Sequence, residues 1–136
     1  MFGNWKKPRK EPREVSVEVS EKDGIRSLHL GSDTVQSSMK LADPAELVLS
    51  YTRAMMAFLL FEPQPRRILM IGLGGGSLAK FIYHRMPSAE VVAVECEPAV
   101  LFAARQYFHV PENGERFRAE LAEGSAWVAE TRAVAT

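Results

Sequence analysis

Cysteine is almost absent from this chain of 136 residues, and the one present, Cys96, has no second thiol to pair with and no histidine at ligand spacing. That argues against an internal disulfide and against a cysteine metal site. The three histidines, His29, His84 and His109, fall at no spacing that sets two on one helix face, which argues against an imidazole site too. No hydrophobic run reaches the length of a bilayer span, and the first residues lack the apolar segment of a secretory signal. No membrane partner is expected, and the expected compartment is cytoplasmic. Charge of one sign is missing as well: 17 basic residues balance 17 acidic ones, so the body of the chain offers no surface for nucleic acid. Only the start is uneven: in the first thirteen residues Lys6, Lys7, Arg9, Lys10 and Arg13 face the lone Glu11. Residues 1–14 read as a solvated basic tail.

What is present is one domain's worth of apolar residues in two different rhythms. Val15, Val17 and Val19 alternate with polar neighbours, Glu21 to Gly24 has turn chemistry, and Arg26, Leu28 and Leu30 resume the alternation. With an extended piece around Thr34 to Met39, residues 15–42 read as a small β hairpin or meander. From residue 43 the rhythm changes. Asp43, Pro44 and Glu46 spell a helix start with a capping box, and Leu47, Tyr51, Ala54, Met55, Phe58 and Leu59 give the helix that follows an apolar face. Further on, strands at 67–71, 90–94 and 117–121 alternate with helices after Ser77, Pro98 and Glu123. Residues 43–136 therefore read as βαβαβα, the first half of a doubly wound parallel sheet, and the chain as an α/β protein with a β meander in front.

The stretch RILMIGLGGGS, Arg67 to Ser77, carries the strongest functional signal. Ile68 to Ile71 read as a strand buried on both faces, running into a turn whose glycines, Gly72, Gly74 and Gly76, let a ligand approach the main chain. The next helix opens there with its free N–H groups toward the ligand. Glu95, at the end of the second strand, stands where a carboxylate accepts hydrogen bonds from both hydroxyls of a ribose. The spacing is G-x-G-x-G, with Ser77 where a dinucleotide fingerprint has its third glycine, and no Lys-Ser/Thr pair follows to hold phosphates. That favours an adenosylmethionine-type nucleoside over a dinucleotide. A dehydrogenase half-domain is the enzymatic alternative.

The segments YTRAMMAFLL, RRILMIGLGGGSLAKF, VVAVECEP and AELAEGSAW, with Gln36 ahead of them, resemble the polyamine aminopropyltransferases, the spermidine synthase family. That family joins a small β domain to a Rossmann-like domain of methyltransferase type. The resemblance implies that decarboxylated S-adenosylmethionine, or S-adenosylmethionine itself, binds at Gly72, Gly74, Gly75, Gly76 and Ser77, with Glu95 on its ribose and a polyamine amine as acceptor. It also implies that Gln36 and Tyr51 line the cofactor side, and that Glu123 and Gly124 touch the adenine. Two positions depart from the pattern. Gly75 stands where the family has an Asp that holds the aminopropyl amine, and Arg53 where it has a Glu.

The family's catalytic aspartates would lie beyond Thr136, so no catalytic residue is assigned within the chain, and no metal. The expectation is a C-terminally truncated transferase domain that holds the cofactor half and is inactive by itself. The alternatives are a non-catalytic remnant or interaction module, or a protein of S-adenosylmethionine-dependent methyltransferase type. A half-sheet would also leave the strand at 67–71 as an edge, from which self-association is expected.

Overall fold

A computed structural model describes residues 16–135; the basic tail and Val15 lie outside them. The order is β1 (Val17–Lys22), β2 (Ile25–Leu30), β3 (Val35–Lys40), α1 (Ser50–Met55), a 3-10 turn (Met56–Leu60), β4 (Arg67–Ile71), α2 (Ser77–Arg85), β5 (Glu90–Glu95), α3 (Pro98–Tyr107), β6 (Phe117–Leu121) and α4 (Gly124–Ala135). Two three-stranded sheets result, an antiparallel β1-β2-β3 and a parallel β4-β5-β6. The meander and the half-wound sheet are both as the alternation and the strand-helix rhythm predict. No helix among the described residues is long and apolar enough to cross a membrane.

The predicted helix from Asp43 does not form. Lys40 and Asp43 make an isolated β-bridge, and Glu46 N–H donates to Asp43 O at 3.1 Å in a turn that is not continued. The side chains meant to cap are engaged elsewhere: Glu46 pairs with Lys40 at 3.1 Å, and Asp43 with Arg85 of α2 at 3.4 Å. Helix starts only at Ser50, lasts six residues and tightens into the 3-10 turn. The capping pattern is therefore overridden by tertiary partners, and half of the expected apolar face, Tyr51, Ala54 and Met55, stays exposed, while Leu47 is buried.

The parallel sheet buries one face under α2 and α3, where Val91, Ala93, Phe117 and Ala119 meet Ala79, Ile82 and Ala104. The antiparallel sheet docks from the side: Leu28 and Met39 pack with Val100, Ala103 and Phe108, and Arg26 donates to Tyr107 O at 2.6 Å. At its other end α2 is closed by Arg116, whose guanidinium lies over the Tyr83 ring and donates to Tyr83 O at 2.8 Å and Met86 O at 3.2 Å.

The strand β4 corrects the expectation of burial on both faces. Ile68 and Met70 are half-buried against the core, but Leu69 is 47% and Ile71 58% exposed. On that second face Gly124 of α4 abuts Ile71 at the end of the strand. Among the described residues β4 is also an edge, with β5 on one side and no strand on the other.

Candidate functional site

The turn after β4 takes the conformation its glycines permit. Gly72, Gly74 and Gly76 have φ of 88°, 57° and 73°, in the left-handed region. Their surroundings differ, and this separates two roles. A Cβ at Gly72 would meet nothing within 4 Å, so the main chain is open to an incoming group there. A Cβ at Gly74 would lie 2.5 Å from the Gln36 side chain, and one at Gly75 2.8 Å from Ser37 Cβ. Those glycines make room for β3, not for a ligand.

β3 is hydrogen-bonded onto the turn. Gly75 N–H donates to Ser37 Oγ at 2.9 Å, Ser77 Oγ donates to Ser38 O at 3.4 Å, and the Ser37 hydroxyl donates to Gln36 Oε1. Tyr51, from α1, donates its hydroxyl to Gln36 O at 2.6 Å; burial pushes its pKa up. The antiparallel sheet thus forms one wall of a cleft whose floor is the glycine turn.

Glu95 is the best-held side chain in that cleft. It is 7% exposed, Oε1 accepts from Leu73 N–H at 3.1 Å and Gly74 N–H at 3.3 Å, and Oε2 accepts from Glu97 N–H at 3.0 Å. A carboxylate has about four acceptor sites. Three are engaged by the main chain, so Glu95, which lines the cleft, braces the turn and keeps one acceptor site free of main-chain partners. Glu97, its neighbour, caps α3 by accepting from Ala99 N–H at 3.5 Å, with Pro98 in the first turn.

The cleft has a volume of about 220 Å³. Of the residues expected at the site it brings together Gln36, Tyr51, Gly72, Gly74, Ser77 and Glu95. It does not include the other four. Gly75 is bound to Ser37, and Gly76 packs against Val110 as the residue before α2. Glu123 caps α4: it accepts from Ser125 N–H at 3.1 Å, Ala126 N–H at 3.0 Å and Ser125 Oγ at 2.5 Å. The Ser125 hydroxyl, and then the Ala126 and Ser125 N–H groups, hold its carboxyl below the usual carboxylate range. Gly124 sits against Ile71. Sequence reasoning missed Ser37, Thr52, Leu73 and the apolar lining Met55, Met70, Ile71 and Leu78. The apolar ones carry the same periodicity as core residues; Ser37 had a signal in its adjacency to Gln36.

Arg53 turns away from the cleft and donates through Nε to Leu47 O at 3.0 Å. No group of three or more His, Cys, Asp or Glu among the described residues could hold a metal ion.

The chain is 55% identical over 112 residues to the polyamine aminopropyltransferase of Chromobacterium violaceum, a match covering 82% of this chain and 43% of that protein. Among solved structures, a probable spermidine synthase from Corynebacterium glutamicum superposes with a TM-score of 0.71 at 19% identity, over 88% of this chain and 45% of that one, a likeness of fold. Human methyltransferase-like protein 13, solved in complex with SAH, superposes with a TM-score of 0.55 at 31% identity, over 61% and 40%. No protein-family model matches. The chain spans less than half the length of the curated aminopropyltransferase it matches.

Proposed function

We propose, taking the chain as the relative of the polyamine aminopropyltransferases that 55% identity over 112 residues makes it, that it forms the nucleoside-binding half of an enzyme that transfers an aminopropyl group. The observation that carries this reading is the cleft at the end of β4. A turn with open main chain at Gly72 faces one free acceptor of Glu95, between a polar wall from β3 and the apolar side chains Met70, Ile71 and Leu78. An adenosyl nucleoside has the matching chemistry: ribose hydroxyls that donate, and a base and thioether with apolar surface. With three of its acceptor sites engaged, Glu95 takes one ribose hydroxyl directly, and Ser77 and Leu78, at the start of α2, line the same space. The aminopropyl donor is decarboxylated S-adenosylmethionine, and the acceptor a polyamine amine.

By itself the chain binds without turnover. Deprotonating an attacking amine takes a base within hydrogen-bond reach, and the one carboxylate lining the cleft among the described residues, Glu95, is already braced by Leu73, Gly74 and Glu97. The cleft is also smaller than the roughly 300–1,000 Å³ typical of sites that enclose a ligand, so affinity is weak, in the millimolar range.

The likeness to human methyltransferase-like protein 13 in complex with SAH favours a second reading, a cradle for S-adenosylmethionine with its carboxylate. Isothermal calorimetry with methylthioadenosine, S-adenosylhomocysteine and NAD separates the readings. Methylthioadenosine is expected to bind at least as tightly as S-adenosylhomocysteine. Tighter S-adenosylhomocysteine would favour the methyltransferase reading, tighter NAD a dehydrogenase, and no heat with any of them would refute the nucleoside site.

A further inference from the structure

A second cavity lies away from the nucleoside cleft. It measures about 540 Å³ and is lined by Asp43, Pro44 and Ala45 from the segment after β3, His84 and Arg85 from the last turn of α2, and His109 from just beyond α3. That volume falls within the roughly 300–1,000 Å³ of sites that take a small molecule. Lys80, four residues before His84 and on the same face of α2, ties the two helices together there, its Nζ 6.0 Å from the ring centroid of Phe108, the neighbour of His109.

Two helices thus end at this cavity, and a helix C-terminus carries partial negative charge. Basic side chains near such an end ordinarily hydrogen-bond its last carbonyls. Here other residues already do so: Arg116 donates to Tyr83 O and Met86 O, and Arg26 to Tyr107 O. His84 and His109 make no hydrogen bond among the described residues, and Arg85 makes only a long one to Asp43, 3.4 Å, where a well-formed charged pair has about 2.7–2.9 Å. Three residues with donors to spare therefore line one space. His109 is also out of place for the fold alone. Its φ is 56°, left-handed, just after a helix, where glycine is the usual residue because a side chain is strained.

We propose that this cavity binds a phosphate-type dianion, as a phosphomonoester or as the free ion, with Arg85, His84 and His109 as donors and Pro44 and Ala45 against any organic part. The surrounding charges largely cancel: Arg85 against Asp43, and Lys40 against Glu46 at 3.1 Å. Arg26, paired with Glu21, and Arg116 are turned to the helix carbonyls, and Lys80 is buried. The excess positive charge that draws a dianion is therefore supplied by the two histidines, a side chain that ordinarily protonates near about pH 6.5. Affinity rises as the pH falls, and Asp43 opposes binding. This inference is independent of the nucleoside reading.

Titration of the full chain with inorganic phosphate, followed by NMR of the histidine rings at about pH 6.5, is expected to give saturable shifts at His84 and His109 and none at His29, which is bonded to Ser20. Losing one charge-assisted hydrogen bond weakens binding at least about tenfold. That loss is expected in both His109→Gly and Arg85→Gln, the glycine variant melting no lower than the parent because the left-handed position suits it. Asp43→Asn is expected to tighten binding. Sulfate, which keeps both charges, is expected to bind at least about tenfold more tightly at about pH 6 than at about pH 8. Glycerol 2-phosphate binding more tightly than phosphate would identify a phosphomonoester, and the reverse the free ion. Methylthioadenosine is expected to shift neither His84 nor His109, so this site and the nucleoside cleft stand or fall separately. No saturable shift at His84 and His109, phosphate binding unchanged in His109→Gly, a sulfate affinity indifferent to pH, or succinate binding more tightly than phosphate would overturn the proposal.

Discussion

Replacing Glu95 tests whether the carboxylate holds the protein together as well as holding a ligand. Leu73 N–H and Gly74 N–H share Oε1, at 3.1 and 3.3 Å, in a buried setting, and Glu97 N–H reaches Oε2 at 3.0 Å where water has partial access. Glu95→Ala leaves two buried donors without acceptors. A buried donor left unsatisfied costs about 1–3 kcal/mol. The third donor can turn to water, so the expected loss is about 2–6 kcal/mol against a total stability of about 5–15 kcal/mol. Glu95→Gln is gentler: its oxygen still serves Leu73 and Gly74, but its amide nitrogen now opposes the Glu97 N–H, and about 1–2 kcal/mol is lost. Urea unfolding followed by circular dichroism reads both. With a slope of about 1–3 kcal/mol/M, the alanine midpoint moves down by about 0.7 M or more, and the glutamine midpoint by about 0.3–2 M, the smaller of the two at any one slope. A Glu95→Ala midpoint equal to the parent would refute the bracing role and leave Glu95 as a ligand contact alone.

Lys80 supplies a pH signature. It is 1% exposed, its Nζ has no hydrogen-bond partner among the described residues, and it lies over the Phe108 ring, 6.0 Å from the centroid. Burial pushes its pKa down from 10.5 to about 8. Between those values the unfolded chain binds more protons than the folded one, so stability rises with pH across the window, by on the order of 3 kcal/mol if the shift is fully expressed. Tyr51, with its raised pKa, works in the opposite sense above its ordinary value of 10.0, so the rise is read below that pH. Lys80→Met is expected to raise stability at pH 7 and flatten the profile; a rise that persists in that variant would assign it to other groups. Gly75→Ala puts a Cβ 2.8 Å from Ser37 Cβ and is expected to cost about 1–3 kcal/mol. Adding Ser37→Gly removes the clash, so the two losses are less than additive in thermal melts; strict additivity would mean that β3 yields freely.

Strand, turn and strand-end acid were legible because each has a local cause. Ile68 to Ile71 are β-branched or apolar, the glycines permit φ values of 88°, 57° and 73°, and Glu95 closes β5. The half-sheet was legible too, since three strand-helix alternations set the order β4-β5-β6. What local pattern could not give were choices made by distant partners. The capping residues Asp43 and Glu46 are drawn to Arg85 and Lys40, so the helix starts at Ser50. Glycines read as room for a ligand prove at Gly74 to be room for Gln36 and at Gly76 to be room for Val110, 38 and 34 residues away in sequence. Glu123, placed against an adenine by resemblance, is engaged as the cap of α4. Apolar lining and apolar core share one rhythm, which is why Met70 and Leu78 were invisible as site residues.

Backbone amide NMR during a titration with methylthioadenosine is the most direct test of the nucleoside cradle, because it locates binding while measuring it. Saturable shifts in the millimolar range are expected at Gly72, Leu73, Gly74, Ser77 and Glu95, with smaller ones at Gln36 and Tyr51, and little change in β1 or α4. No saturable shift at millimolar ligand, or shifts centred away from the turn after β4, would contradict it.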